Sequence, residues 1–305
     1  APWQTAFDPL LPPLAIDDGT LWSWFVMHVF FEFKCITLFS MLFGASIFLV
    51  GGERSDKSRG AILRRRLFWL LIFGLIHALL IWYGDILVTY AITGLLVLFA
   101  RSWKPATLMI VGVILYLIAL LLQNMLGLFY DMIPPDQVGG VRDSMAAVFA
   151  LTPEDTAQIQ AAYQGGFVTG VQENASTWAT FIVNAIFGLV IRTAGVMMIG
   201  MALFKWGFLS GNAPNWLYGL AIVVGAAALA LVGYQALLNW EARFDMIHMM
   251  TRGQFVNSAV SIFVSIGYAS VFVLLVKAGL RLLTEPLAAV GRMAFTNYIM
   301  QSLIM

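Results

Sequence analysis

The sequence predicts an all-α protein, a polytopic transmembrane helical bundle of about eight spans. Three observations carry that prediction. Of the 305 residues, 61% are hydrophobic and 11% charged, against roughly 45–50% and 25% in an ordinary soluble domain. The mean hydropathy is +0.86. Apolar runs near the ~20 residues that cross a bilayer alternate with short links, and the basic residues crowd into every second link. No Pro/Ser-rich linker divides the chain, so 1–305 reads as a single transmembrane domain. It begins at Ala1 and stops in an apolar run at Met305, which reads as a piece of a longer protein.

Composition also narrows the chemistry. A net charge of +1 is no footprint for nucleic acid, and none is expected as a partner. The single cysteine, Cys35, excludes an intrachain disulfide. His28, His77 and His248 show no metal-ligand spacing, so no metal site is expected.

Residues 1–20 are polar and proline-rich, with Pro2, Pro9, Pro12 and Pro13, and read as an extracytoplasmic loop. Thr20 is placed to cap a helix from Leu21. The run from Leu21 to Val50 exceeds one upright span. Either it tilts, or residues 21–33 lie along the interface and the span begins near Lys34. On a continuous helix His28, Glu32 and Cys35 share a face and Lys34 points elsewhere. That stripe is a polar wall of the bundle or a solvated helix end with a snorkelling lysine.

Gly51 to Arg66 holds Arg54, Lys57, Arg59, Arg64, Arg65 and Arg66 against Glu53 and Asp56. Such a link stays in the cytoplasm. The stretch from Arg64 to Ala100 is then a transmembrane hairpin whose turn, Tyr83-Gly84-Asp85, faces outward. His77 sits about 16 Å along the helix from Arg66, near mid-membrane. An ionisable ring there is costly and lines a polar interior. Arg101 and Lys104 close the hairpin on the inside, and Ala106 to Met125 leads out. Residues 126–177 form an extracytoplasmic loop with six acids and only Arg142 as a base. Its Thr152-Pro153-Glu154-Asp155 starts a short helix. Trp178 to Phe204 returns inward with Asn184 and Arg192, the latter about 21 Å in from Trp178 and so in the inner half. Asn215–Leu238 and Val256–Lys277 flank a solvated outer loop, and a last run after Pro286 carries Asn297 and Gln301 on one face.

Three stretches resemble the YeiB-like family of bacterial inner-membrane proteins, a family built on a domain of unknown function. They are Phe33-Lys34-Cys35-Ile36-Thr37-Leu38-Phe39-Ser40-Met41-Leu42-Phe43-Gly44; Gly74-Leu75-Ile76-His77 with Tyr83-Gly84-Asp85-Ile86-Leu87 and Tyr90-Ala91; and Gly291-Arg292-Met293-Ala294-Phe295-Thr296-Asn297-Tyr298 with Gln301-Ser302. Phe33 stands where the family carries glycine. The family's earlier span and tryptophan-rich tail are missing. The resemblance implies a multi-pass protein of the bacterial cytoplasmic membrane. It also implies remote kinship with membrane-bound acyltransferases, which move an acyl group from a cytoplasmic donor such as acyl-CoA to an outer-face glycan or lipid.

On that reading His77 is the general base, since imidazole exchanges protons near neutral pH. Arg192 or Lys34 holds donor phosphates or developing negative charge. Asp85 orients the base or caps the next helix. Glu32 and Asn297 are the remaining candidates for binding substrate or donor. No cofactor is expected beyond acyl-CoA as a donor substrate. The competing reading is a transporter or exporter of a small polar or lipid-linked solute, using the same polar interior as a path.

Overall fold

The computed structural model describes residues 18–149 and 152–304, with no strand among them. The proline-rich segment through residue 17 and the side chain of Asn184 lie outside the described residues. Five helical segments are long and apolar enough to cross a membrane: Gly19–Gly51, Pro105–Gln123, Gly188–Lys205, Asn215–Glu241 and Phe255–Lys277. A sixth apolar stretch, Leu87–Ala100, is shorter.

The first of these segments is not one helix. α1 (Asp18–Val26) runs into a π-helical turn, Met27–Phe31, and α2 (Lys34–Gly51) starts afresh. Between them Phe33 takes φ +60°, a left-handed conformation uncommon for a bulky residue. α2 begins at Lys34, where the second of the two expected arrangements starts its span. Its 18 residues rise about 27 Å, close to the ~30 Å of hydrocarbon. Thr20 lies inside α1 instead of capping it.

α3 (Lys57–Leu80) and α4 (Leu87–Val97) form the expected hairpin, followed by α5 (Pro105–Gln123). Asp56 caps α3 by accepting the Arg59 N–H at 3.0 Å, which holds its carboxyl below the usual range. The acidic loop is more helical than expected: α6 (Met125–Phe129), α7 (Pro135–Phe149) and α8 (Pro153–Gln164) fill it. Thr152 and Asp155 form a reciprocal capping box at the start of α8, and the Thr152 hydroxyl and N–H hold the Asp155 carboxyl low.

α9 (Phe167–Lys205) begins well before Trp178. α10 (Asn215–Glu241), a single turn α11 (Met246–His248), a second π-helical turn Met249–Gly253, and α12 (Phe255–Lys277) follow. The last run is divided at Met293 into α13 (Arg281–Arg292) and α14 (Ala294–Ile304). At 12 and 11 residues, each rises less than about 20 Å and is too short to span alone.

α9 is the centre of the bundle and packs on α2, α3, α4 and α5, while α10 pairs with α12. Apolar side chains gain little by leaving lipid for one another, so contact depends on close backbone approach. Gly44 of α2 and Gly200 of α9 supply it: a Cβ on Gly44 would lie 1.9 Å from the Met197 carbonyl oxygen, and one on Gly200 2.1 Å from that of Met41. Around this crossing Met41, Met197 and Met201 are fully buried.

Basic side chains gather where α2, α9 and the α4 segment end. Arg59 donates to the carbonyls of Val50, at 3.1 Å, and Leu49. Lys205 donates to those of Arg101 (2.6 Å) and Trp103 (3.0 Å). Cations there satisfy terminal carbonyls and complement the helix dipoles. We term this the basic end.

Gly44→Ala is expected to destabilise the protein by about 1–3 kcal/mol through overpacking, whereas Gly219→Ala, which meets no atom within 4 Å, should not. Thermal unfolding in detergent checks this; equal midpoints for the two variants would remove Gly44 as the determinant of the crossing.

Candidate functional site

Two polar clusters form at the end of the bundle opposite the basic end. The first is built by the hairpin. α3 stops at its last turn, where the N–H groups of Ile81 and Trp82 both donate to the His77 carbonyl, at 3.0 and 2.9 Å. The chain reverses and brings Asp85 back beside the His77 ring. Asp85 Oδ1 lies 2.9 Å from His77 Nδ1, and Oδ2 accepts the Val88 N–H at 2.8 Å. Asp85 therefore touches the imidazole and also accepts an N–H from the first turn of α4. Burial pushes its carboxyl up, while the Val88 and Leu87 N–H groups and the imidazole pull the other way.

A singly protonated pair keeps its proton between Nδ1 and Oδ1, which leaves Nε2 as a lone pair. That atom is buried and has no hydrogen-bond partner among the described residues. The His77 ring also meets Tyr298 of α14 at 5.0 Å between centroids, and the Tyr298 hydroxyl accepts the Ile86 N–H at 3.3 Å. Asn297 is elsewhere, exposed and donating to the Val290 carbonyl at 3.2 Å; it is its neighbour that reaches the histidine. The hairpin is tied to α2 one turn further on, where Tyr90 and Ser40 share a hydrogen bond of 2.6 Å. Asn174 of α9 donates to the Ile81 carbonyl at 3.2 Å, so the start of α9 covers the turn.

The second cluster surrounds the break before α2. His28 Nδ1 donates to Glu32 at 2.5 Å. Lys34, fully buried, donates to the His28 carbonyl at 2.6 Å and to Asn257 Oδ1 of α12. Cys35 is exposed. This reverses the sequence expectation for both residues. The helical projection assumed one continuous helix, whereas the π turn and the left-handed Phe33 reset the phase and rotate Lys34 inward.

Arg192 lies beside the same break. It donates to Ser258 O (3.2 Å), Ser261 Oγ (3.0 Å) and Gln123 Oε1 (3.3 Å). Its guanidinium rests over the rings of Phe33 and Tyr116, at 4.7 and 5.5 Å. Contact with Phe33 puts this group level with the start of α2, not nearer the basic end as counting from Trp178 implied. Among the described residues no carboxylate pairs with Lys34 or Arg192, and no hydrogen bond links either to His77. Phe33, the departure from glycine in the first motif, supplies one face of the arginine's sandwich.

Sequence reasoning missed Tyr298, Asn257, Ser258, Ser261, Gln123 and Tyr116. For Tyr298 a signal existed, since it sits within the third motif. The serines of α12, spaced at Ser258, Ser261 and Ser265, formed a legible polar stripe. Among the described residues no group of three or more His, Cys, Asp or Glu side chains is placed to hold a metal ion.

Residues 203–305 match the family model described as a protein of unknown function, DUF418. Over most of its length the chain is similar to two bacterial proteins. The uncharacterized protein YeiB of Escherichia coli K12 is 32% identical over 309 residues, covering 95% of this chain and 72% of the relative. The uncharacterized protein YxaH of Bacillus subtilis 168 is 31% identical over 299 residues, covering 92% and 67%. No solved structure matches.

Arg192→Lys is expected to lower thermal stability by about 1–3 kcal/mol, because an ammonium cannot donate to Gln123, Ser258 and Ser261 while stacked between two rings. An unchanged melting midpoint in detergent would show that the guanidinium geometry does not hold these helices.

Proposed function

The chain belongs to the YeiB-like family, and on that footing we propose that it is a multi-pass enzyme of the bacterial cytoplasmic membrane. In this reading it transfers an acyl group from a cytoplasmic donor such as acyl-CoA to a glycan or lipid at the outer face. The observation that carries it is the Asp85–His77 pair, with its second ring nitrogen buried and unpartnered. A histidine held by a carboxylate through one nitrogen presents the other as a base of fixed direction.

The chemistry follows. An acceptor hydroxyl gives its proton to His77 Nε2 as its oxygen forms a bond to the acyl carbonyl carbon. The carbon–sulfur bond breaks, and His77 returns the proton to the leaving thiolate. The basic end attracts a phosphate-bearing donor. Lys34 and Arg192 serve by locking the helices around the break, and Glu32 by holding His28. Tyr298 packs against the imidazole on the side opened by α14.

The alternative, transport of a polar or lipid-linked solute, draws on a different observation. The first apolar segment is broken at Glu32–Phe33 with charged groups buried beside it, and discontinuous helices line transport sites.

Orientation is checked by single cysteines in a Cys35→Ala background. Those at Gly140 and Ala242 should react with an impermeant thiol reagent applied to intact cells, and one at Ser58 should not. The opposite pattern would put the His77 turn on the cytoplasmic side and end the proposed direction of transfer.

Activity is checked with full-length protein, labelled acyl-CoA and a panel of outer-face glycans and lipids. Transfer of label is expected, reduced about 100-fold or more in His77→Ala. Transfer undiminished in a folded His77→Ala protein would refute the base assignment. Solute flux through vesicles without any transfer would favour the transporter.

A further inference from the structure

Along α3, Arg65, Arg66, Trp69, Leu70 and Phe73 line a groove of about 250 Å³, and Phe295 of α14 forms its other wall. The α3 residues recur at helical spacing and make one continuous strip. In chain order the strip starts with the two arginines and continues with aromatic and aliphatic side chains. Neither arginine has a hydrogen bond or an ion pair with any described residue, so both guanidinium groups are available to an anion. Phe73 and Phe295 meet edge to face at 5.8 Å and close the far end.

The dimensions are those of a lipid leaflet. From Arg65 to Phe73 the helix rises about 12 Å, and half of a ~30 Å hydrocarbon core is about 15 Å. The arginines follow the basic end by only a few residues, which sets them at the headgroup level. The aromatic and aliphatic part of the strip then runs inward to the depth of one acyl chain.

We propose that this groove binds an anionic phospholipid. The headgroup phosphate lies against Arg65 and Arg66, and one acyl chain follows Trp69, Leu70 and Phe73 to Phe295. A zwitterionic lipid would fill the apolar part equally well but bring no net charge to the arginines. The bound chain packs one helical turn below His77 and Tyr298, steadying α14 against the hairpin. This inference stands apart from the acyl-transfer reading and holds whether or not His77 is a base.

The full chain is reconstituted into phosphatidylcholine vesicles containing a minor fraction of phosphatidylglycerol, with bromine on the acyl chains of one lipid or the other. Bromine quenches tryptophan on contact, and the contribution of Trp69 is the difference between wild type and Trp69→Phe. Brominated phosphatidylglycerol should quench Trp69 at about 25-fold lower mole fraction than brominated phosphatidylcholine, because each arginine near an anionic headgroup adds roughly fivefold. The selectivity should vanish in Arg65→Gln/Arg66→Gln with unchanged helical circular dichroism, and native mass spectrometry should show loss of the co-purifying anionic lipid. Equal quenching by the two lipids in wild type, or selectivity that persists in the double variant, would overturn the proposal. So would relief of quenching by long-chain acyl-CoA but not by unbrominated phosphatidylglycerol, which would make the groove a site for a soluble donor.

Discussion

The guanidinium of Arg192 holds four parts of the bundle at one point. It leaves α9, lies between Phe33 at the start of α2 and Tyr116 of α5, and donates to Gln123 of α5 and to Ser258 and Ser261 of α12. In hydrocarbon no water is at hand to satisfy such a group, so its partners must be supplied by the protein. That requirement explains the conformation of Phe33. A phenylalanine at φ +60° costs of order 1–3 kcal/mol, and it persists because the ring covers a buried cation. The glycine crossing of α9 with α2, and a second between Gly112 of α5 and Gly195 of α9, where an added Cβ on Gly195 would lie 2.7 Å from the Gly112 carbonyl oxygen, allow backbones close enough for these side chains to meet.

The two polar clusters solve the same problem differently. Lys34 and Arg192 donate to carbonyl, hydroxyl and amide oxygens of neighbouring segments, so these cations act as ties within the bundle. At His77 one nitrogen is satisfied and the other is left over. Structural polar groups in a membrane tend to be fully paired, and a buried nitrogen held in a fixed direction without a partner is the arrangement expected of a group that acts on something else. Thr93 Oγ1 and Ser258 Oγ are likewise buried without a partner among the described residues, so what sets His77 apart is the carboxylate of Asp85 at its other nitrogen.

Break and hairpin are also linked mechanically. Tyr90 of α4 shares its hydroxyl with Ser40 of α2, and α14 reaches the hairpin through both Phe295 and Tyr298. Movement of α14 would therefore change the surroundings of His77 without disturbing the Arg192 tie, whose partners lie on other helices.

Much of this was legible in the residues. Composition and run length dictate a helical membrane bundle, because long uncharged apolar runs have no other stable home. The turn between His77 and Asp85 was legible too, since Tyr83-Gly84-Asp85 interrupts an apolar stretch, and the capping box at Thr152 depends on neighbours alone. All these are local or compositional. Lys34 was misjudged because periodicity carries a face forward only while the helix continues, and a π turn followed by one left-handed residue cancels it. Asn257 meets His28 across 229 positions, and Tyr298 meets Ile86 across 212. No spacing rule connects residues so far apart. Tertiary packing alone chose those pairs, because which helices lie side by side decides which buried polar groups can meet.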